Sequence, residues 1–344
     1  MPCPWYQYTA QNDGTALTQA LAQRNEPNPD VEKRVQNILQ DVREQGDAAL
    51  VSYTRSFDCP DFETAKIKVP FPELEKALHS IPKADLALME EAAGNIRSFH
   101  QQQREHSWFD HSTQGLIVGQ LLRPVDKAGL YVPGGQSGDT PLISSLLMNA
   151  IPAQVAGVER IAVVTPPRQD GSINAYTLAA AAILGLNEVY ALGSAWAIAA
   201  LAYGTQSVPQ VDVITGPGNI YVTTAKRMLT GQVSIDLIAG PSEIAILADG
   251  SANPEWLAAD LLSQAEHDPL ASAVLISTDK GLLEKTKTAL QKQLDQLSRK
   301  DIAASALGKW GGLIHVPDLR TAIEVINNLA PEHLELCLTD PWSL

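Results

Sequence analysis

Cysteine is scarce in this chain: three in 344 residues, at Cys3, Cys59 and Cys337. No two of them have metal-ligand or redox spacing, and an odd number argues against a disulfide framework. A reducing cytoplasm is the expected compartment. Long apolar runs are also missing. The longest, such as 178–186 and 195–202, fall well short of the roughly 20 residues a membrane helix needs. The opening residues, MPCPWYQYTA, hold no basic start and no apolar run, so no secretory signal is expected. Basic residues are few beside acidic ones, 25 against 39, giving a net charge of −14. A field of that sign repels phosphate backbones, which argues against nucleic acid as a partner. An anionic substrate would need a local basic pocket. Finally, no strand pattern is followed by G-x-G-x-x-G, so the usual dinucleotide fingerprint is absent.

A chain of this length, 45% hydrophobic, is too long for one ordinary core and predicts two domains. The first ~120 residues read mainly as helices. Between Val31 and Phe57 the apolar positions Val35, Ile38, Leu39, Val42, Ala49, Leu50 and Tyr53 follow helical spacing, with Gly46 as a break. Residues 74–78 and 84–99 also read as helix. From Lys127 short apolar runs alternate with amphipathic stretches. Strands are expected at 128–132, 160–165, 188–192, 211–215, 244–248, 272–277, 312–316 and 334–338. Helices are expected near 141–157, 173–185, 195–203, 218–230, 254–266, 279–298 and 318–328. This alternation predicts an α/β protein with parallel sheets flanked by helices, plus an N-terminal helical part. Two sheet-forming units should meet near the turn at Gly240 and Pro241. Ligands of open parallel sheets sit beyond the carboxyl ends of the strands, so the loops there are the places to search.

Three loops stand out: Pro133-Gly134-Gly135, Gly216-Pro217-Gly218-Asn219 and Ala239-Gly240-Pro241-Ser242-Glu243. Their glycines would let backbone N–H groups approach a ligand, and a following helix N-terminus would favour an anion such as pyrophosphate. Pro-Gly loops also simply turn a chain. Of seven histidines, His79, His100, His106, His111 and His315 read as surface or packed side chains. His267 ends a helix in Gln264-Ala265-Glu266-His267-Asp268-Pro269 and shares a face with Gln264. An amide oxygen and an imidazole can ligate zinc, although Q-x-x-H also arises by accident. His333 follows Glu332 in a loop after Pro331. An imidazole beside a carboxylate can take and deliver protons near neutral pH, and equally can be a polar loop.

Seven collinear segments resemble the histidinol dehydrogenase family: GLYVPGG (129–135), SLLMNAIPAQVAGV (145–158), AIAALAYGT (197–205), TGPGNIYVTTAKR (215–227), IDLIAGPSEIAILAD (235–249), LLSQAEHDP (261–269) and APEHLEL (330–336). VEKRVQNILQDVREQGDAAL (31–50) fits as well. The resemblance implies two Rossmann-like units. It places a helical arm at 1–28, a first unit at 29–126 with 237–344 that carries the metal and acid–base motifs, and an NAD-binding second unit at 127–236. It implies oxidation of L-histidinol to L-histidine through L-histidinal, with two NAD+ in turn, zinc holding the substrate, and a homodimer. Glu332 and His333 resemble the acid–base pair. Gln264 and His267 resemble zinc and substrate ligands, and His333 and Ser242 resemble substrate contacts. Tyr131 and Asn219 resemble NAD contacts. A relative acting on another amino alcohol or diol, or an inactive paralogue, would share most of these residues.

Two departures from the family pattern matter. Trp196 stands where the family typically has a glutamine that contacts NAD; its ring is expected to stack on the cofactor instead. Family chains also run past the point where this one stops, at Leu344. The resemblance places an aspartate zinc ligand, a histidine zinc ligand and a substrate-binding glutamate in that stretch. A truncated or fragment chain is the expectation, with weak zinc binding as its consequence.

Overall fold

The computed structural model describes residues 3–8, 21, 24, 28–134, 141–238 and 240–344. In chain order the elements are β1 (Trp5–Gln7), α1 (Pro29–Gln45), α2 (Asp47–Phe57), α3 (Phe71–Ser80), α4 (Lys83–Gln102), β2 (Trp108–Asp110), β3 (Val118–Gln120) and β4 (Lys127–Tyr131). Next come α5 (Ile143–Ala156), β5 (Arg160–Thr165), α6 (Ala175–Ile183), β6 (Val189–Ala191), α7 (Ser194–Tyr203), β7 (Val213–Thr215), α8 (Ile220–Leu229) and β8 (Ser234–Ile235). The last are β9 (Glu243–Ala248), α9 (Pro254–Ala265), β10 (Ser272–Ser277), α10 (Lys280–Leu294), α11 (Lys300–Trp310), β11 (Gly312–His315), α12 (Leu319–Leu329) and β12 (His333–Cys337). No helix among the described residues is long and apolar enough to cross a membrane.

The chain divides into a larger unit, Asn28–Ala239, and a smaller one made of Met1–Pro27 with Gly240–Leu344. The larger unit holds a parallel sheet ordered β6-β5-β4-β7-β8. The strands from β4 step outward one way and those from β7 the other, so the order reverses between β4 and β7. The smaller unit holds a second parallel sheet, β1-β11-β10-β9-β12, which reverses between β9 and β12. The expected Rossmann-like α/β architecture is present twice.

The helices of 29–102 belong to the larger unit, where the sequence reading had joined 29–126 to 237–344. Burial explains the difference. α7 is apolar on every side, and Ala195 to Ala202 are all buried. A helix of that kind must be covered twice. One side of its cluster is formed by sheet residues such as Ala162, Val164 and Ile214, the other by Val35, Ile38, Leu39 and Val42 of α1 and Leu50 of α2. On the opposite face, Leu74 and Ala77 of α3 and Met89 and Ala93 of α4 cover Leu146, Ile151 and Leu178 of α5 and α6. Each face of this sheet thus carries two helix layers. The corner between α1 and α2 is tied down as well: buried Asp47 accepts from Ser207 Oγ at 2.5 Å, and its N–H donates to Gln206 Oε1 at 2.9 Å.

The start of the chain corrects a second expectation. Trp5–Gln7 is an edge strand, paired in parallel with Leu313, Ile314 and His315. Alternation explains it: Trp5 packs into the core under α9 to α11, and Tyr6 into the core under α12. The rest of the expected arm, apart from Leu21, Arg24 and Asn28, lies outside the described residues, as do Gly135 and Ala239. Also unforeseen were β8, the exposed antiparallel pair β2–β3, and α11.

Candidate functional site

In the smaller unit the residues expected to form an acid–base pair lie at the amino ends of the strands. Ser242 and Glu243 open β9, and Glu332 and His333 open the adjacent β12, with His333 in register with Ile244. Search at the carboxyl ends would have missed them. The backbone of Glu243 binds both members of the pair. Its N–H donates to Glu332 Oε2 at 3.4 Å, and its carbonyl lies 3.0 Å from His333 Nδ1. A carbonyl only accepts, so Nδ1 carries the proton and Nε2 keeps the free lone pair. Glu332 Oε2 stands 3.7 Å from His333 Nδ1, and both side chains are about half exposed. Ser242 is half-buried, and its carbonyl accepts from Ser272 N at 2.9 Å.

Gln264 and His267 close α9 at the same edge. α9 links two parallel strands and so runs against them. Glu335 of β12 hydrogen-bonds Asp260 of α9; burial, then the Asp260 charge, raise its carboxyl above the usual range. Four residues along a helix rise about 6 Å, and two along a strand about 6.6 Å. Gln264 therefore stands level with His333, and His267 lies beyond it at the helix end. Gln264 is half-buried and His267 exposed. An amide oxygen and an imidazole suit zinc, yet among the described residues no group of three or more His, Cys, Asp or Glu could hold a metal. Two donors leave a zinc shell incomplete.

In the larger unit the motif residues cluster at the carboxyl ends of β4, β6 and β7, where the strand order reverses. Tyr131 ends β4 and is buried; its hydroxyl accepts from Ser194 N at 3.2 Å. Burial pushes its phenol up to about 12. Ser194 opens α7 with φ +48°, a strained value for a residue other than glycine. Gly216 packs directly over Tyr131: at φ +118°, an added Cβ would stand 2.1 Å from the Tyr131 carbonyl oxygen. Both backbone groups of Gly216 are held. Its N–H donates to Asp236 Oδ2 at 2.8 Å, its carbonyl accepts from buried Lys226 Nζ at 3.0 Å, and Lys226 is paired with Asp236. A Cβ on Gly134 or Gly218 would press on the side chains of Pro166 and Val222. These glycines are required by the chain's own packing. Asn219 caps α8, its Oδ1 accepting from Tyr221 N and Val222 N at 3.1 and 3.2 Å. That helix N-terminus therefore has fewer free N–H groups for an anion than the motif suggested.

The sequence pattern of the histidinol dehydrogenase family matches residues 21–344. The chain is 56% identical over all 344 residues to the histidinol dehydrogenase of Oleidesulfovibrio alaskensis. The chain belongs to the histidinol dehydrogenase family. It is 55% identical to the histidinol dehydrogenase of Nitratidesulfovibrio vulgaris, again over its whole length. It spans 79% of each of these two relatives. The crystal structure of histidinol dehydrogenase from Elizabethkingia anophelis superposes with a TM-score of 0.88 at 36% identity, covering 98% of this chain and 76% of that one.

Set against the family pattern, Trp196 is a core residue here. It is 3% exposed, its ring stacks on Tyr53 and Phe57 at 5.8 and 5.7 Å, and its Nε1 donates to Thr54 Oγ1 at 3.2 Å. The ring expected to stack on a cofactor is instead packed against α2. Trp196→Gln should therefore cost about 2–3 kcal/mol of stability, through lost packing and a buried amide. Chemical denaturation would measure it; an unchanged midpoint would return the ring to a surface role.

Sequence reading missed Asp58, which has no motif around it. Its Oδ2 is buried without a hydrogen-bond partner among the described residues. A Cβ placed on Gly193 would lie 3.3 Å from that oxygen and 2.8 Å from Pro166 Cβ, so Asp58 stands among the loops that follow β5 and β6. Burial pushes its carboxyl up to about 6. A carboxyl raised on folding favours the native state while protonated, and that contribution is lost as pH rises through about 6. Asp58→Asn should gain about 1 kcal/mol at pH 8, allowing for partial exposure, and little at pH 4. Urea titrations at the two pH values would test it; an equal effect at both would refute the assignment.

Proposed function

We propose that this chain performs the family's reaction, the NAD-linked four-electron oxidation of L-histidinol to L-histidine through L-histidinal, in the cytoplasm and as a homodimer. The observation that supports it most is the pairing of Glu332 and His333 on one backbone residue, with the imidazole fixed so that Nε2 is basic. His333 Nε2 takes the proton of the substrate hydroxyl as the hydride leaves the same carbon. Glu332 keeps one carboxylate oxygen off the Glu243 N–H, and that oxygen orients and deprotonates the water that adds to the aldehyde. His333, once its Nε2 has released the first proton to solvent, takes the proton of the resulting hydrate before the second hydride leaves. NAD+, when bound, would supply the hydride acceptor for both steps, and the protein supplies position. Tyr131 and Asn219 are the NAD contacts. Asn219 has spent its oxygen on the helix cap, so its NH2 makes that contact. Asp58 Oδ2 would be satisfied by a hydroxyl-bearing ligand such as a ribose of NAD. Gln264, His267, Ser242 and His333 hold the substrate, and Gln264 and His267 are the donors this chain offers zinc. Zinc, when bound, would fix the substrate imidazole and amino group without redox change.

The test is NADH formation from L-histidinol with zinc supplied. Two NADH per histidine formed is the expected result. One NADH with accumulation of aldehyde, or turnover only of other amino alcohols or diols, would overturn the reading.

A further inference from the structure

Arg24 stands far from the acid–base pair in sequence, yet its charge is buried beside the residue that holds the pair. Its side chain is wholly covered. Nη2 donates to Glu243 Oε1 at 3.0 Å and to the Pro241 carbonyl at 3.2 Å. Nε and Nη1 are buried and have no partner among the described residues. A guanidinium satisfied through one nitrogen alone is an expensive way to stabilise a fold, since well-packed apolar side chains in place of a buried ion pair are often neutral or stabilising. Stability does not account for it. The atoms it grips do: Pro241 and Glu243 bracket Ser242, and the backbone N–H and C=O of Glu243 hold Glu332 and His333.

We propose that Arg24 and Glu243 are positioning residues for the Glu332–His333 pair. The guanidinium fixes the backbone of 241–243 as it enters β9, and that backbone sets the tautomer and direction of the His333 ring. Among the described residues the Glu243 carbonyl is the one hydrogen-bond partner of the His333 ring. The amino end of β12 is the edge of the sheet, with β9 its single neighbour, so a shift of the Glu243 peptide moves both side chains together. Leu21, three residues before Arg24 in sequence, packs against the core beneath α12. This inference rests on His333 being the base.

The decisive variant is the double substitution Arg24→Met with Glu243→Leu in the full chain, since it removes the charges as a pair and should leave the protein folded. Two readouts are needed. Long-range proton–nitrogen spectra of histidine-labelled protein, with His333 assigned by its loss in His333→Asn, report the tautomer. In the parent the proton sits on Nδ1; in the double variant the fixed tautomer should give way to averaged signals. The kcat for L-histidinol should fall about 10- to 100-fold, as misplacement of a reacting group by an ångström predicts, while KM for NAD+ stays within about twofold. Arg24→Lys, which keeps a charge near Glu243, should recover part of both. A folded double variant with the parental His333 tautomer, or with unchanged kcat, would overturn the proposal. If the parent itself turned over no histidinol, the proposed function would fail, and the tautomer measurement would still decide whether Arg24 orders the ring.

Discussion

His333→Asn is expected to slow both oxidation steps by about 10²- to 10⁴-fold, the range for loss of a general base. Each hydride leaves a carbon whose oxygen must shed a proton, and His333 Nε2 is the basic atom that the Nδ1 bond to the Glu243 carbonyl leaves free. Asparagine cannot take a proton. Glu332→Gln should divide the steps. Oxidation of L-histidinol to the aldehyde needs no activated water and should be spared, while oxidation of L-histidinal should fall by a comparable factor. The N–H of Glu243 can still donate to the amide oxygen of glutamine, so the local fold should survive. The assay starts separately from L-histidinol and from L-histidinal, at several zinc concentrations, and follows NADH. If Glu332→Gln slowed the alcohol step and left the aldehyde step untouched, the roles would be reversed. If zinc restored Glu332→Gln fully, Glu332 would support the metal and not the water.

Gly216→Ala is expected to cost about 2–6 kcal/mol and to weaken NAD+ binding at least tenfold. Two terms add: strain of an alanine at φ +118°, about 1–3 kcal/mol, and overlap of its Cβ with the Tyr131 carbonyl oxygen, about 1–3 kcal/mol where packing must shift. That oxygen is backbone and cannot swing aside as a side chain would. Relief requires Gly216 to move, which strains its bonds to Asp236 and Lys226 and shifts the following Asn219. Thermal unfolding and a fluorescence titration with NAD+ would read the two effects. An alanine variant as stable as the parent, binding NAD+ equally well, would show the loop to be less constrained than its contacts indicate.

Much of the architecture is legible before any coordinates. Parallel strands buried on both faces are continuous apolar runs, so 160–165 and 272–277 coincide with β5 and β10 to the residue. Short or weakly patterned elements escape. β1 is three residues beside Pro4, and α11 (KDIAASALGKW) carries little amphipathic signal. The placement of α1 to α4 was readable in principle, because the all-apolar Ala195–Ala202 demands cover on two sides, but alternation of strand and helix says nothing about outer layers. Glu332, His333, Gln264 and His267 stand out by residue type and spacing, and the resemblance supplies the roles expected of them. Their position at the amino edge was not legible, since the general rule for parallel sheets points to the other end. Arg24 and Asp58 were invisible for a simpler reason: their significance lies in burial, and neither belongs to a local pattern.

The division of the chain also bears on the order in which it folds. The larger unit is one continuous stretch, Asn28–Ala239, whereas the smaller is assembled from the two ends. During synthesis the larger unit can close before β9 to β12 have left the ribosome. β1 emerges before the larger unit and finds its partner, Leu313 to His315, only after it. Contacts of such long sequence separation are slow to form, and a strand that waits for them is open to wrong partners. Pulsed hydrogen exchange during refolding should therefore show amides of β4 to β7 protected first and those of β1 and β11 together at the end. Of the described strands, β1 would be among the last to lock, although it precedes the larger unit in the chain.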